Sequence, residues 1–224
     1  MFDLIHLVGE GRAGTVLAAR LRERGQSVTV GRRPDIRAEL VILAVPDRVI
    51  GKVARGIEQE AWMCHVSGAT PLTALEPHAR RFSVHPLQTL TTERGAEQLD
   101  GAWSAISGDT DDALARARWL AKTLGLRPFE IADADRSLYH AAAVIGGNFL
   151  VTLHQVTTRL LTQAGAPPEA IVPLMSRTIE NGFDLTGPIA RGDSSTVEAH
   201  VKALQDRAPD LVPLYRALAE ASRR

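Results

Sequence analysis

Val8-Gly9-Glu10-Gly11-Arg12-Ala13-Gly14 is a G-x-G-x-x-G run that follows a β-type stretch, residues 3–8, and opens a segment with apolar residues at helical spacing, Gly14 to Arg24. In a strand–turn–helix setting each glycine has its own task. The first makes the turn, the second lets backbone approach a pyrophosphate, and the third lets helix pack on strand. Unpaired N–H groups at the helix start then face the phosphates. The run therefore places Gly9, Gly11, Arg12, Ala13 and Gly14 at a dinucleotide.

Outward from this turn, short aliphatic runs alternate with helix-like segments. Strands are expected near residues 3–8, 27–30, 40–45, 62–66, 81–85, 102–107 and 127–131, with Asp111 to Leu124 as a second helix. That rhythm belongs to βαβ units and a mostly parallel sheet. Only about ten residues separate the second and third runs, too few for a full crossover helix. After residue 132 the strand signals stop, so the expected domains are 1–132, α/β and nucleotide-binding, and 133–224, all helical. One helix is expected from an N-cap at Asp135 to Ala164, stopped by Gly165. Its middle, Ala141 to Val151, is apolar on nearly every face, and such a helix is normally buried all round. A homodimer built on it is expected.

The ribose preference is read at the end of the second strand, where a carboxylate would bind a 2′-hydroxyl. Here the chain has Gly31-Arg32-Arg33. Two guanidinium forks suit a 2′-phosphate, so NADP (NADPH) is expected over NAD. Val45 and Pro46, in the turn that ends the third strand, and Ser67, after the fourth, are further cofactor contacts at the carboxyl edge of the sheet.

The 224 residues carry 26 basic and 26 acidic side chains, a formal charge of zero. Proteins that live on nucleic acid or anionic lipid show a basic excess or a clustered basic face, so neither partner is expected. Cys64 is the single cysteine, which excludes an internal disulfide and suits a reducing, cytoplasmic setting. No apolar run approaches the ~18 residues of a membrane span. No metal site is expected, because Cys64 and His65 are adjacent in a strand and face opposite ways.

His65-Val66-Ser67-Gly68-Ala69, Ser83-Val84-His85-Pro86-Leu87-Gln88-Thr89, Tyr139-His140-Ala141-Ala142-Ala143 and Leu185-Thr186-Gly187-Pro188-Ile189-Ala190-Arg191-Gly192-Asp193 resemble the bacterial Rossmann-like proteins with a domain-of-unknown-function 2520 tail. More broadly the chain resembles the superfamily with a helical dimerisation domain like that of 6-phosphogluconate dehydrogenase. Ketopantoate reductase, pyrroline-5-carboxylate reductase and prephenate dehydrogenase are its relatives. The resemblance implies an α/β Rossmann-like domain, a helical dimerisation domain and nicotinamide chemistry. His140 and Asn148 resemble two helix positions of ketopantoate reductase, and His85-Pro86 resembles the His-Pro of prephenate dehydrogenases.

Reduction of a carbonyl or imine needs a proton donor at the heteroatom and a group that holds the substrate. His140 and His85 are the candidate donors. Asn148, roughly two turns from His140 on the expected helix, would orient substrate or cofactor, and Arg191 would clamp a substrate carboxylate in a bidentate pair. The expected function is NADPH-dependent reduction of a small 2-oxo acid or imine, with ketopantoate as the first substrate to test. The alternatives are a non-catalytic NADP-binding sensor and a deazaflavin-linked NADP oxidoreductase.

Overall fold

The computed structural model describes residues 1–58 and 60–223. Seven strands, β1 (Ile5–Val8), β2 (Val28–Val30), β3 (Leu40–Leu43), β4 (Trp62–His65), β5 (Arg81–Pro86), β6 (Trp103–Gly108) and β7 (Arg127–Glu130), form one sheet in the order β2-β1-β3-β4-β5-β6-β7. Each expected aliphatic run becomes a strand. β1 to β5 pair in parallel, as do β6 and β7. The β5–β6 pair is antiparallel. No α-helix lies between them, and antiparallel neighbours need no crossover helix.

Helices cover both faces. α1 (Arg12–Glu23) and α3 (Asp111–Thr123) place Leu17, Leu21, Ala117 and Leu120 against Ile5, Leu7, Ile42, Cys64 and Phe82. On the other face α2 (Asp47–Arg55), a helix that follows the turn after β3 and to which the sequence reading gave no element, sets Ile50 and Ala54 against Val41, Leu43 and Met63. This two-sided cover explains why β3 reads as an unbroken Leu-Val-Ile-Leu run, all of it buried. β2 and β3 flank β1 from opposite sides, and residues 31–39 cross between them without a helix, as the short spacing required.

The chain divides into two compact units, Met1–Gly147 and Asn148–Arg224, so the division falls at 147/148 rather than at 132/133. The first unit keeps α4 (Arg136–Gly146). The single helix expected from Asp135 to Ala164 is two: α4 ends at Gly146, Gly147 departs to φ −106° and ψ −72°, and α5 (Asn148–Ala164) starts anew. Paired glycines explain the break, since each costs a helix interior about 1 kcal/mol relative to alanine. His140 and Asn148 therefore do not share a helix face. Asp135 stands at the N-cap of α4 without a capping bond from its side chain.

The second unit continues with α6 (Ile171–Glu180), α7 (Ser194–Arg207) and α8 (Val212–Ala221). Gly165, at φ +79°, ends α5 where the sequence placed the stop. A small core of Leu204, Ala208 and Leu211 packs with Val156, Leu160 and Tyr215. Arg159 grips Asp210 bidentately at 2.7 and 2.8 Å. No residue of α5 is buried within the chain, and Phe149, Leu150 and Val151 are exposed. Among the described residues no helix is long and apolar enough to cross a membrane.

Candidate functional site

Because β1 to β5 run in parallel, their carboxyl ends share one edge, and the turns after β1, β3, β4 and β5 gather there. β2 and β3 leave β1 in opposite directions, which opens the crevice that binds ligands in such sheets. The glycines of the first turn differ in the room around them. A Cβ on Gly9, whose φ is +122°, would stand 2.2 Å from the carbonyl oxygen of Ala44, and one on Gly14 would stand 2.0 Å from that of Gly9. Both positions are closed to any side chain. A Cβ on Gly11 would meet nothing within 4 Å. Gly11 is also the N-cap of α1, makes no side-chain cap, and no acidic residue occupies the first turn. The first-turn N–H groups are thus left for an external anion, and this arrangement fits the pyrophosphate of a dinucleotide.

At the end of β2, Gly31 donates its N–H to the carbonyl of Leu7 at 3.1 Å. His6, an isolated histidine in the sequence, organises this turn. Its Nε2 donates to the Gly31 carbonyl at 3.2 Å, and its Nδ1 accepts from Thr29 Oγ1 at 2.7 Å. Arg32 and Arg33 are exposed, and no hydrogen bond or ion pair engages either guanidinium among the described residues. The nearest carboxylate in sequence, Asp35, is held down to about 2 by its hydrogen bonds from Arg37, at 2.7 and 3.0 Å. Ser67 is buried, and its hydroxyl folds its own loop by donating to Thr70 Oγ1 at 2.9 Å and accepting from the N–H of Thr70 at 3.0 Å.

His85, near the end of β5, and His140, on α4, are brought together, with ring centroids 6.0 Å apart. Gly68 forms the floor beneath them: a Cβ there would lie 2.7 Å from His140 Cδ2 and 2.8 Å from His85 Cε1. Tyr139, which the sequence reading did not assign, meets His85 Nδ1 with its hydroxyl at 2.7 Å and stacks edge-on against Phe129 of β7. Burial, then the charges of His140 and Arg136, push His85 down to about 4, and burial pushes the Tyr139 hydroxyl up to about 12. Neighbouring His65, fully buried, is pushed down by burial to about 3. At neutral pH His85 is an uncharged imidazole and Tyr139 a protonated phenol.

Arg136, also not assigned from sequence, holds α4 against the sheet. Only 2% exposed, it donates from Nε to Asp133 Oδ1 at 2.6 Å, from Nη1 to the Ser67 carbonyl at 3.2 Å and from Nη2 to Ser83 Oγ. Asp133 in turn accepts the N–H of Leu72 at 3.0 Å. Asn148 and Arg191 belong to the second unit. Asn148 is exposed and opens α5, while Arg191 lies in a turn closed by its N–H on the Gly187 carbonyl at 3.2 Å. Asp193 beside it caps α7 through Thr196 N at 3.0 Å. Among the described residues no group of three His, Cys, Asp or Glu could hold a metal ion.

No curated protein matches the chain. Among solved structures it is similar to a Bacteroides fragilis chain described as an NADP oxidoreductase, at 23% identity and TM-score 0.83 over 99% of this chain and 98% of that one. Protein TM1727 of Thermotoga maritima is similar at 25% identity and TM-score 0.69, over 98% and 100%. The 1-pyrroline-5-carboxylate reductase of Streptococcus pyogenes is similar at 14% identity and TM-score 0.63, over 98% and 96%. These likenesses identify the fold as Rossmann-like, with a helical region after it. The model of the domain of unknown function DUF2520 matches residues 102–222, more than half of the sequence, and the chain belongs to that family.

Proposed function

We propose that the protein is an NADPH-dependent reductase of a small 2-oxo acid or related imine. One observation carries the reading: His85 and His140, far apart in sequence, meet over Gly68 at the same sheet edge as the glycine turn. Gly9, Gly11 and Gly14 would seat the pyrophosphate, with Arg12 and Ala13 in the same turn and Val45 and Pro46 in the turn that follows β3. Arg32 and Arg33, exposed and unpaired among the described residues, favour a 2′-phosphate and hence NADP. The likeness in fold to oxidoreductases that use nicotinamide cofactors supports the assignment.

When bound, NADPH supplies a hydride to the carbonyl carbon. The protein's task is to meet the charge that grows on the oxygen and to deliver a proton there. His85, neutral at working pH, offers an N–H hydrogen bond rather than a formal charge. His140 is the second candidate donor at the same atom, and solvent restores the proton after each turnover. The uncovered apolar residues of α5 favour a homodimer in which a second copy covers them. The reading is tested by titrating the purified full chain with NADPH and NADH and by following NADPH consumption over a panel of 2-oxo acids and imines. Binding of NADPH with turnover of one class supports it, and failure to bind either nucleotide overturns it.

A further inference from the structure

The bond between His85 and Tyr139 decides which end of the imidazole carries its proton. A neutral imidazole has one donor and one acceptor nitrogen, and a phenol has one donor hydrogen. Tyr139 Oη meets His85 Nδ1 at 2.7 Å, and neither group has another hydrogen-bond partner among the described residues. If Nδ1 were the donor, the phenol hydrogen would be left half-buried with no acceptor and Nε2 would be a bare lone pair. If the phenol donates, its hydrogen is satisfied and only one group is left open, an N–H on Nε2. Since an unmade bond costs the full desolvation of its group, the second arrangement is favoured. Nε2 faces the floor of the site, 3.0 Å from where a Cβ on Gly68 would stand and beside His140. The buried Arg136 guanidinium, bound to Ser67 and Ser83 at the same edge, adds positive charge nearby.

We propose that Tyr139 is a positioning residue that fixes the His85 proton on Nε2, so that the site offers a hydrogen-bond donor and selects a carbonyl oxygen over a protonated iminium. An iminium nitrogen carries no lone pair for that donor and is repelled by Arg136. The substrate part rests on the reductase reading, whereas the tautomer does not.

The test is long-range proton–nitrogen NMR of the 15N-labelled full chain at neutral pH without ligand, with the His85 signals identified by their loss in His85→Gln. The expected result is a protonated Nε2 and a bare Nδ1. Only the neutral ring can accept from Tyr139, so Tyr139→Phe should raise the His85 protonation midpoint, on the order of half a pH unit for one lost hydrogen bond. The ring of the phenylalanine preserves the packing, so a merely structural role would leave the midpoint in place. A proton on Nδ1 in the parent protein, or a midpoint that stays or falls in the variant, overturns the proposal; if the variant does not fold, the parent's tautomer alone decides. With NADPH present, Tyr139→Phe should lower kcat for a 2-oxo acid more than it alters KM. A protein that turns over protonated iminium substrates in preference to carbonyls contradicts the substrate part. A protein with the expected tautomer that consumes no NADPH refutes the reductase reading and leaves the tautomer standing.

Discussion

Arg136 and Ser67 are joined across the sheet edge: the arginine Nη1 donates to the serine carbonyl at 3.2 Å, inside a network that leaves Arg136 only 2% exposed. Removing the guanidinium leaves the buried Ser67 carbonyl and Ser83 hydroxyl without their donor, whereas Asp133, one third exposed, keeps water and the Leu72 N–H. Arg136→Met should cost about 2 kcal/mol of stability, read as a lower urea midpoint of the full chain. Arg136→Lys should recover part of the loss, and an unchanged midpoint for Arg136→Met would show that the network adds nothing.

The three glycines of the first turn should separate cofactor binding from folding. Gly11→Ala meets no atom within 4 Å, so the fold should be intact while the added methyl stands where a pyrophosphate would approach. NADPH affinity should fall at least tenfold, roughly 1.4 kcal/mol or more. Gly9→Ala, with its Cβ 2.2 Å from a backbone oxygen, should impair folding itself. Calorimetry with NADPH alongside circular dichroism distinguishes the two outcomes.

Gly68→Ala should act on chemistry and not on nucleotide binding. Its Cβ would push on both His140 and His85, at 2.7 and 2.8 Å, and the two rings must move apart or tilt. Displacements near 1 Å cost on the order of a hundredfold in rate. Turnover should fall by about that factor, with NADPH affinity kept.

His85 and His65 set an acid limit on stability. Unfolded imidazoles take up protons near 6.5, whereas the folded ones wait until about 4 and about 3. Below 6.5 the unfolded state therefore binds more protons, and stability falls as pH falls through that window. His85 alone accounts for about 3 kcal/mol by pH 4. His85 is faced by His65 from β4, by Arg136, Tyr139 and His140 from α4, and at longer range by Asp47 from α2; Asp47 opposes the downward push of His140 and Arg136. The lowered carboxyls of Asp35 and Asp193 contribute throughout this window and lose their contribution only as pH falls below the ordinary carboxylate range. The urea midpoint should drop between about pH 7 and pH 5; a flat profile would contradict the buried neutral histidines.

The sheet and the glycine turn were legible because both are local patterns: aliphatic runs at strand length, and glycines whose spacing encodes close approaches. The break at Gly147 was hidden because the apolar pattern continues through it into α5. His6 looked isolated because its partners, Thr29 and Gly31, lie on another strand and its turn. The Arg136–Ser83 bond spans a sequence separation of 53. Even so, Arg136, Tyr139 and His140 fall at i, i+3 and i+4, the spacing that puts side chains on one helix face. A polar face on an apolar helix was the available signal for the cluster, and only His140 was taken from it.

The most direct test follows the absorbance of reduced nicotinamide with the purified full chain, NADPH and a panel of 2-oxo acids and imines, in the parent protein and in His85→Gln and His140→Ala. The expected result is NADPH consumption by the parent with a carbonyl substrate, lost in both variants while NADPH still binds. Tight NADPH binding with no consumption across the panel, or variants that turn over like the parent, would contradict the account.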